Sequence, residues 1–216
     1  QIEEGAVHCF ALLLVSLATF TGTPACASSS KEDIRTVTIT ALIDEEDLSS
    51  ASHQAEIVKG ALNFSSWVFK KEFRVTFKLQ NVLVWHYPAG RKQIDLDSAD
   101  PLVKFLAKDI DTDIVLAFTS KFMDRSSVVE IDGDWVETRE EVLGIASGPG
   151  LGRTAFVRIT EHVPFTTLHE LPHLFGALDV HCCTEETVMR LPTTAKIDKE
   201  NTAIVLANRG RIFNKK

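Results

Sequence analysis

The chain has 216 residues, of which 44% are hydrophobic and 25% charged, with a formal net charge of −7. That length and balance are ordinary for a soluble globular protein of one domain, or of a domain plus an extension, with a substantial core. The acidic balance and the lack of any basic cluster argue against a nucleic-acid partner, and the 13 Phe against a single Tyr read as core filling.

Residues 1–27 differ in composition from the rest. Cys9 to Phe20 is an apolar run, followed by Thr21-Gly22-Thr23-Pro24-Ala25-Cys26-Ala27 and then Ser28-Ser29-Ser30. This pattern reads as the apolar segment and small-residue cleavage zone of an export signal, too short for a comfortable membrane span. Cleavage after Ala27 would release a secreted protein. Ala25-Cys26 before the serines instead resembles a bacterial lipoprotein site, with Cys26 carrying a lipid that attaches the protein to the membrane. Thr23-Pro24 fits the usual lipobox poorly, and Glu3 and Glu4 stand where a signal carries Lys or Arg. The expected location is therefore outside the cytoplasm or lipid-anchored at the cell envelope, in a bacterium. Residues 28–34 form a linker, and the stretch from Ser30 to Arg35 leaves no room for a sizeable pro-segment.

From Arg35 to Ile43 apolar residues alternate with threonines, a strand by its period of two. A helical stripe follows between Ala51 and Phe73, through Ala55, Val58, Ala61, Leu62 and Trp67, interrupted around Asn63 to Ser66. Arg74 to Trp85 alternates again, Ala99 to Lys108 reads as a helix with Asp100-Pro101 near its start, and Asp113 to Thr119 as a short strand buried on both faces. Phe122 to Glu140 is polar and irregular, and a surface loop is expected there. Val142 to Ser147 and Thr154 to Thr160 are two further strands around the Gly148 to Gly152 turn. Thr160 to Gly176 is a helix with Pro164 in its first turn, and Asp198 to Asn208 is a final helix.

The helix from Thr160 carries the chemistry. His169-Glu170-Leu171-Pro172-His173 places two imidazoles four residues apart on one helix face, where both can grip a single Zn²⁺. Glu170 can then sit beside a metal-bound water as general base. Gly176 lets the helix stop and the chain turn, and Asp179 follows three residues later, placed to return a third ligand. The other histidines, His53, His86 and His162, read as exposed or capping residues. Asp109, Asp111 and Asp113 lack the Gly and Glu of a calcium loop, and the Gly-rich turn lacks the Lys of a phosphate loop.

His169, Glu170, His173, Gly176 and Asp179, with Met189 downstream, resemble the metzincin superfamily of zinc-dependent endopeptidases. His181-Cys182-Cys183 is similar to the Cys that follows this Gly in archaemetzincins, although their later CxxC pair is missing and the Gly-to-Met spacing differs. The resemblance implies an α+β fold: a twisted, mixed five-stranded sheet backed by helices in residues 35–176, and a smaller lower subdomain in 177–216. It implies zinc held by His169, His173 and either Asp179 or its rival His181, with Met189 in a turn beneath the metal. It also implies that the strand from Val142 to Ser147 lies at a sheet edge, where Ile145 and Ala146 would meet a peptide or protein substrate. A monomer is expected. Pro172 departs from the pattern, since an interior Pro removes the bond to the Leu168 carbonyl and crowds it, at about 3 kcal/mol. That departure motivates the alternative, a catalytically impaired metal-binding or peptide-binding surface protein on the same scaffold. Cys182 and Cys183 are adjacent, so bridging them would strain the ring; they read as buried or metal-proximal thiols.

Overall fold

Residues 33–44, 51–86, 93–131, 134–147, 152–180, 186–190 and 194–213 are described by a computed structural model. The segment read as an export signal, with Cys26, and also His181, Cys182 and Cys183 lie outside these residues. Strand β1 (Arg35–Asp44) and helix α1 (Ala51–Phe73) are followed by β2 (Val75–Trp85), β3 (Gln93–Asp95), α2 (Leu96–Ala107) and β4 (Ile114–Thr119). Then come β5 (Phe122–Ile131), β6 (Asp134–Val142), β7 (Gly144–Ala146), β8 (Thr154–Arg158), α3 (Val163–His173) and α4 (Lys199–Asn208). Among these residues no helix is long and apolar enough to cross a membrane.

Five strands form a mixed sheet in the order β2-β1-β4-β8-β7. The first four run parallel, and β7 pairs antiparallel with β8 at one edge. The central strands are apolar on both faces because both faces are covered. Val37, Ile39, Ala41 and Ile43 of β1 join Ile114, Leu116 and Phe118 of β4 in a core that includes α1 and α3. Leu42, Val115 and Ala117 point the other way, into a second core with Leu96, Ala99, Val103 and Ala107 of α2. Phenylalanines tie the first core to the segment after α3. Phe69 packs edge-on against Phe77 at 4.7 Å and lies 5.7 Å from Phe175, which meets Phe213 at 5.4 Å. Each such aromatic pair adds about 0.5–1.5 kcal/mol beyond its buried area.

Several boundaries move relative to the sequence reading. Helix α1 runs unbroken through Asn63 to Ser66, and Trp67, placed on its apolar stripe, is 61% exposed. Helix α2 starts at Leu96, because Asp95 caps it by accepting from the Asp97 amide at 3.2 Å. Helix α3 is shorter than Thr160 to Gly176 at both ends.

The largest correction concerns Phe122 to Glu140. It is a β-hairpin, β5 with β6, joined by β3 into a separate three-stranded sheet. Most side chains of β6 are exposed, so there was little burial to impose an apolar alternation. The available signal was Asp132-Gly133, a two-residue turn pair, and the pairing of Ile131 with Asp134 leaves just those two residues between the strands.

Candidate metal centre

Helix α3 is seated by its buried face, where Val163, Thr166, Thr167, Leu168 and Leu171 pack inward. Thr167 satisfies its hydroxyl by donating to the Val163 carbonyl at 2.8 Å. This seating turns His169, Glu170 and His173 toward a cavity of 460 Å³, which β7 lines from the opposite side with Gly144, Ile145 and Ala146. Ala177, Leu178 and Asp179 close it below.

The end of α3 explains how Pro172 is accommodated. Gly176 adopts φ +94°, a left-handed conformation that favours glycine. The Gly176 amide donates to the His173 carbonyl at 2.9 Å and the Ala177 amide to the Pro172 carbonyl at 3.1 Å. These are the paired bonds of a Schellman motif, so Pro172 sits in a closing turn and uses its carbonyl in the closure. The two imidazoles stay aligned, with their Nε2 atoms 3.3 Å apart. Replacing Pro172 with Gly returns an amide to the last turn, and helix propensities favour Gly over Pro by about 2 kcal/mol. Pro172→Gly is therefore expected to melt at the same or a higher temperature with metal affinity kept. A loss of affinity on titration with a competing chelator would show that the site needs the proline's rigidity.

Asp179 Oδ1 lies 3.2 Å from His169 Nε2 and 3.3 Å from His173 Nε2. With the 3.3 Å between the imidazoles, the donors form a nearly equilateral triangle. Three ligands of a tetrahedral zinc ion, each about 2.0–2.1 Å from the metal, stand about 3.3–3.4 Å apart. The donor set and its spacing therefore fit such an ion, and among the described residues these three form the group able to hold one. Each imidazole is oriented from behind. His169 Nδ1 donates to the Val188 carbonyl at 2.6 Å and His173 Nδ1 to the Ala177 carbonyl at 2.8 Å, which leaves both Nε2 atoms aimed at the common point.

The segment that brings Asp179 back is fixed by α4. Buried Asn201 accepts from the Leu178 amide at 2.8 Å and donates to the Leu178 carbonyl at 2.9 Å. Asp198 caps α4 through the Asn201 amide and also holds the Thr187 hydroxyl, one residue before Val188. One polar cluster thus braces both the third donor and the carbonyl behind His169. Buried Met189 lies in the same turn, and its carbonyl accepts from the Val180 amide at 3.0 Å.

Charge is concentrated here. Burial pulls the His169 imidazole down, but the hydrogen bond to Asp179, the charge of Glu170 and the Val188 carbonyl together raise it to about 9. Burial also opposes charge on His173, and the same kinds of partner raise it overall. Hydrogen bonds from His169 and His173 hold the Asp179 carboxyl well below the usual range. Burial pushes Glu170 up against the charges of both imidazoles, and its carboxylate accepts a hydrogen bond from the Ala146 backbone.

The structure brings together His169, Glu170, His173, Asp179, Ile145 and Ala146, and buries Met189 in the core that also holds Leu168 and Leu171. The rival His181 lies outside the described residues. Asp113 works elsewhere, accepting from the Thr38 amide and hydroxyl at 2.8 Å each. Sequence reasoning missed Gly144, Arg125, Val188, Ala177 and Asn201. Most of these act through backbone atoms or long-range contacts that no local pattern displays.

No protein-family model matches the sequence, and a search of curated proteins finds no match. Solved structures do resemble it. Archaemetzincin from Methanopyrus kandleri superposes with a TM-score of 0.55 at 16% identity, covering 82% of this chain and 97% of that one. Metalloproteinase-II from Bacteroides fragilis gives 0.54 at 17% identity over 82% of this chain and 55% of its own. A chain from a chaperone–substrate complex gives 0.57 at 13% identity over 82% of this chain and 35% of its own. The fold thus resembles metallopeptidase folds, and this chain spans only part of two of those three proteins.

Proposed function

We propose that this protein is a zinc-dependent endopeptidase of metzincin type. The observation that carries the reading is the donor triangle of His169, His173 and Asp179, with the buried Glu170 carboxylate 3.9 Å from His169 Nε2. A bound zinc ion would supply Lewis-acid polarisation of the peptide carbonyl and a water whose pKa is lowered toward about 7. Glu170 takes the proton from the attacking water and delivers it to the leaving amine. Its burial makes it more basic than an ordinary carboxylate, which suits a group that must accept a proton near neutral pH. The edge strand β7 lines the cavity, so an extended peptide can add to the sheet beside Ile145 and Ala146. The export signal read from residues 1–27 would place this activity outside the cytoplasm. The fit of Pro172 into the Schellman turn weakens the alternative of an impaired binding protein, because it removes the defect that motivated it. The test is to incubate purified protein with fluorescein-labelled casein. Cleavage should stop on chelation and return when about one zinc per chain is restored; no cleavage at full zinc occupancy would favour the binding protein.

Metal uptake should depend on pH. With its pKa near 9, His169 is protonated at neutral pH in the metal-free protein, and a metal must displace that proton. Zinc affinity should therefore rise about tenfold per pH unit for each proton displaced, levelling off above the raised pKa. Calorimetry in buffers of different ionisation enthalpy would count the protons, and an affinity flat between about pH 6 and 8 would contradict the raised value. Without metal the dependence reverses. A raised folded-state pKa gives stability that is full below the ordinary imidazole value and lost as pH rises through about 9.

A further inference from the structure

Gly144 occupies β7, an ordinary strand, and does not have the positive φ that distinguishes Gly176. Its backbone is open to any L-residue. Glycine weakens a strand, because it loses more conformational freedom on folding and offers no side chain to pack. Its presence at this position therefore needs a cause other than backbone conformation.

The cause lies across the cavity, on α3. A Cβ built on Gly144 would stand 2.4 Å from Glu170 Oε1 and 2.8 Å from both Cδ and Cγ of the same side chain. Three atoms of one residue would be too close at once, so a rotation of the carboxylate alone does not relieve the contact. Glu170 is only 2% exposed and cannot swing into solvent. It is also held at β7 by its hydrogen bond to the Ala146 backbone, two residues along the strand. A methyl at position 144 must either drive the carboxylate toward the imidazoles or push β7 away from α3. Both movements change the distance between Glu170 and the point where the three donors converge.

We infer that Gly144 is a positioning residue for Glu170, its missing side chain forming the seat for the carboxylate while the Ala146 backbone fixes its direction. This rests on the peptidase reading only for its catalytic consequence; the packing relation between the two residues stands apart from it. The edge strand then has two tasks, to receive an extended peptide and to set the base that acts on it.

The test is a double-mutant cycle on thermal unfolding, with zinc content measured for every variant. Gly144→Ala alone should lower Tm by about 3–10 °C, the overpacking cost expected in a tight site. In a Glu170→Ala background the same change should be neutral or should raise Tm, since the methyl then enters vacated space and a strand prefers Ala to Gly. Should Gly144→Ala fail to fold, recovery of folded protein in the double variant supports the inference and failure of both overturns it. Equal losses in both backgrounds, or no loss in either, also overturn it. With labelled casein, Gly144→Ala should keep its zinc and its KM within about threefold while kcat falls about a hundredfold, the scale of an ångström's misplacement. A rise in KM with kcat unchanged would mean that Gly144 serves peptide binding only. If the unaltered protein does not cleave casein, the peptidase reading fails, and the thermal cycle still decides whether Gly144 seats Glu170.

Discussion

Replacing Glu170 with Ala is expected to reduce peptide hydrolysis by about 10²–10⁴-fold, the usual worth of a positioned acid–base group, with zinc content unchanged. The carboxylate lies beside the donor triangle without belonging to it, 3.9 Å from His169 Nε2 against the 3.2 Å of Asp179. Stability should move the other way. Glu170 is buried, and burial raises its affinity for a proton. The folded protein then binds that proton more tightly than the unfolded chain. The contribution favours folding below the ordinary carboxylate range and turns against it as pH rises. At neutral pH the metal-free Glu170→Gln variant should accordingly melt at the same temperature or higher than the unaltered protein, a site held for function at some cost in stability. Hydrolysis undiminished in Glu170→Ala would place any activity elsewhere. A lower melting temperature in Glu170→Gln would mean that the ionised carboxylate is a net structural asset.

The second large effect separates the candidates for third ligand. Asp179→Ala removes one corner of the triangle and the acceptor shared by both imidazoles. Zinc affinity should fall by more than about a hundredfold, beyond the ten- to hundredfold typical of a residue that only orients a ligand. His181→Ala should stay within that smaller range. Chelator titration of the two variants measures both. If His181→Ala loses the metal while Asp179→Ala keeps it, the ligand set is three histidines. Asp179→Ala should also lower the His169 pKa, because the hydrogen bond that His169 donates to Asp179 is the largest influence raising it. Histidine titration by NMR in metal-free protein would follow that shift.

The site was legible in the sequence where its geometry is local. Two imidazoles four residues apart on a helix must share a face, and Gly176 with Asp179 follows within a turn's reach. Central strands were legible because burial on both faces leaves long apolar runs, as in Ile114 to Thr119. The β5–β6 hairpin was hidden by the same physics, since the mostly exposed β6 puts no demand on alternation. Gly144 was hidden because its partner lies 26 positions away on another element. Val188 and Ala177 were hidden because a carbonyl oxygen is the same in every residue type. Asn201 looked like one more polar residue of a final helix, and only the structure shows both of its amide atoms bound to Leu178.

The turn that ends α3 has a consequence for coupling between folding and ligation. Ala177 closes the helix with its amide, donated to Pro172, and orients His173 with its carbonyl. A single peptide segment therefore serves both the helix terminus and the metal donor. If that turn frays, the helix cap and the aim of the imidazole are lost in one event. The relation is reciprocal: a metal that holds His173 in place must oppose fraying by the same free energy with which an intact turn strengthens metal binding. On the proposed function, the helix terminus and the candidate metal site would form one cooperative unit.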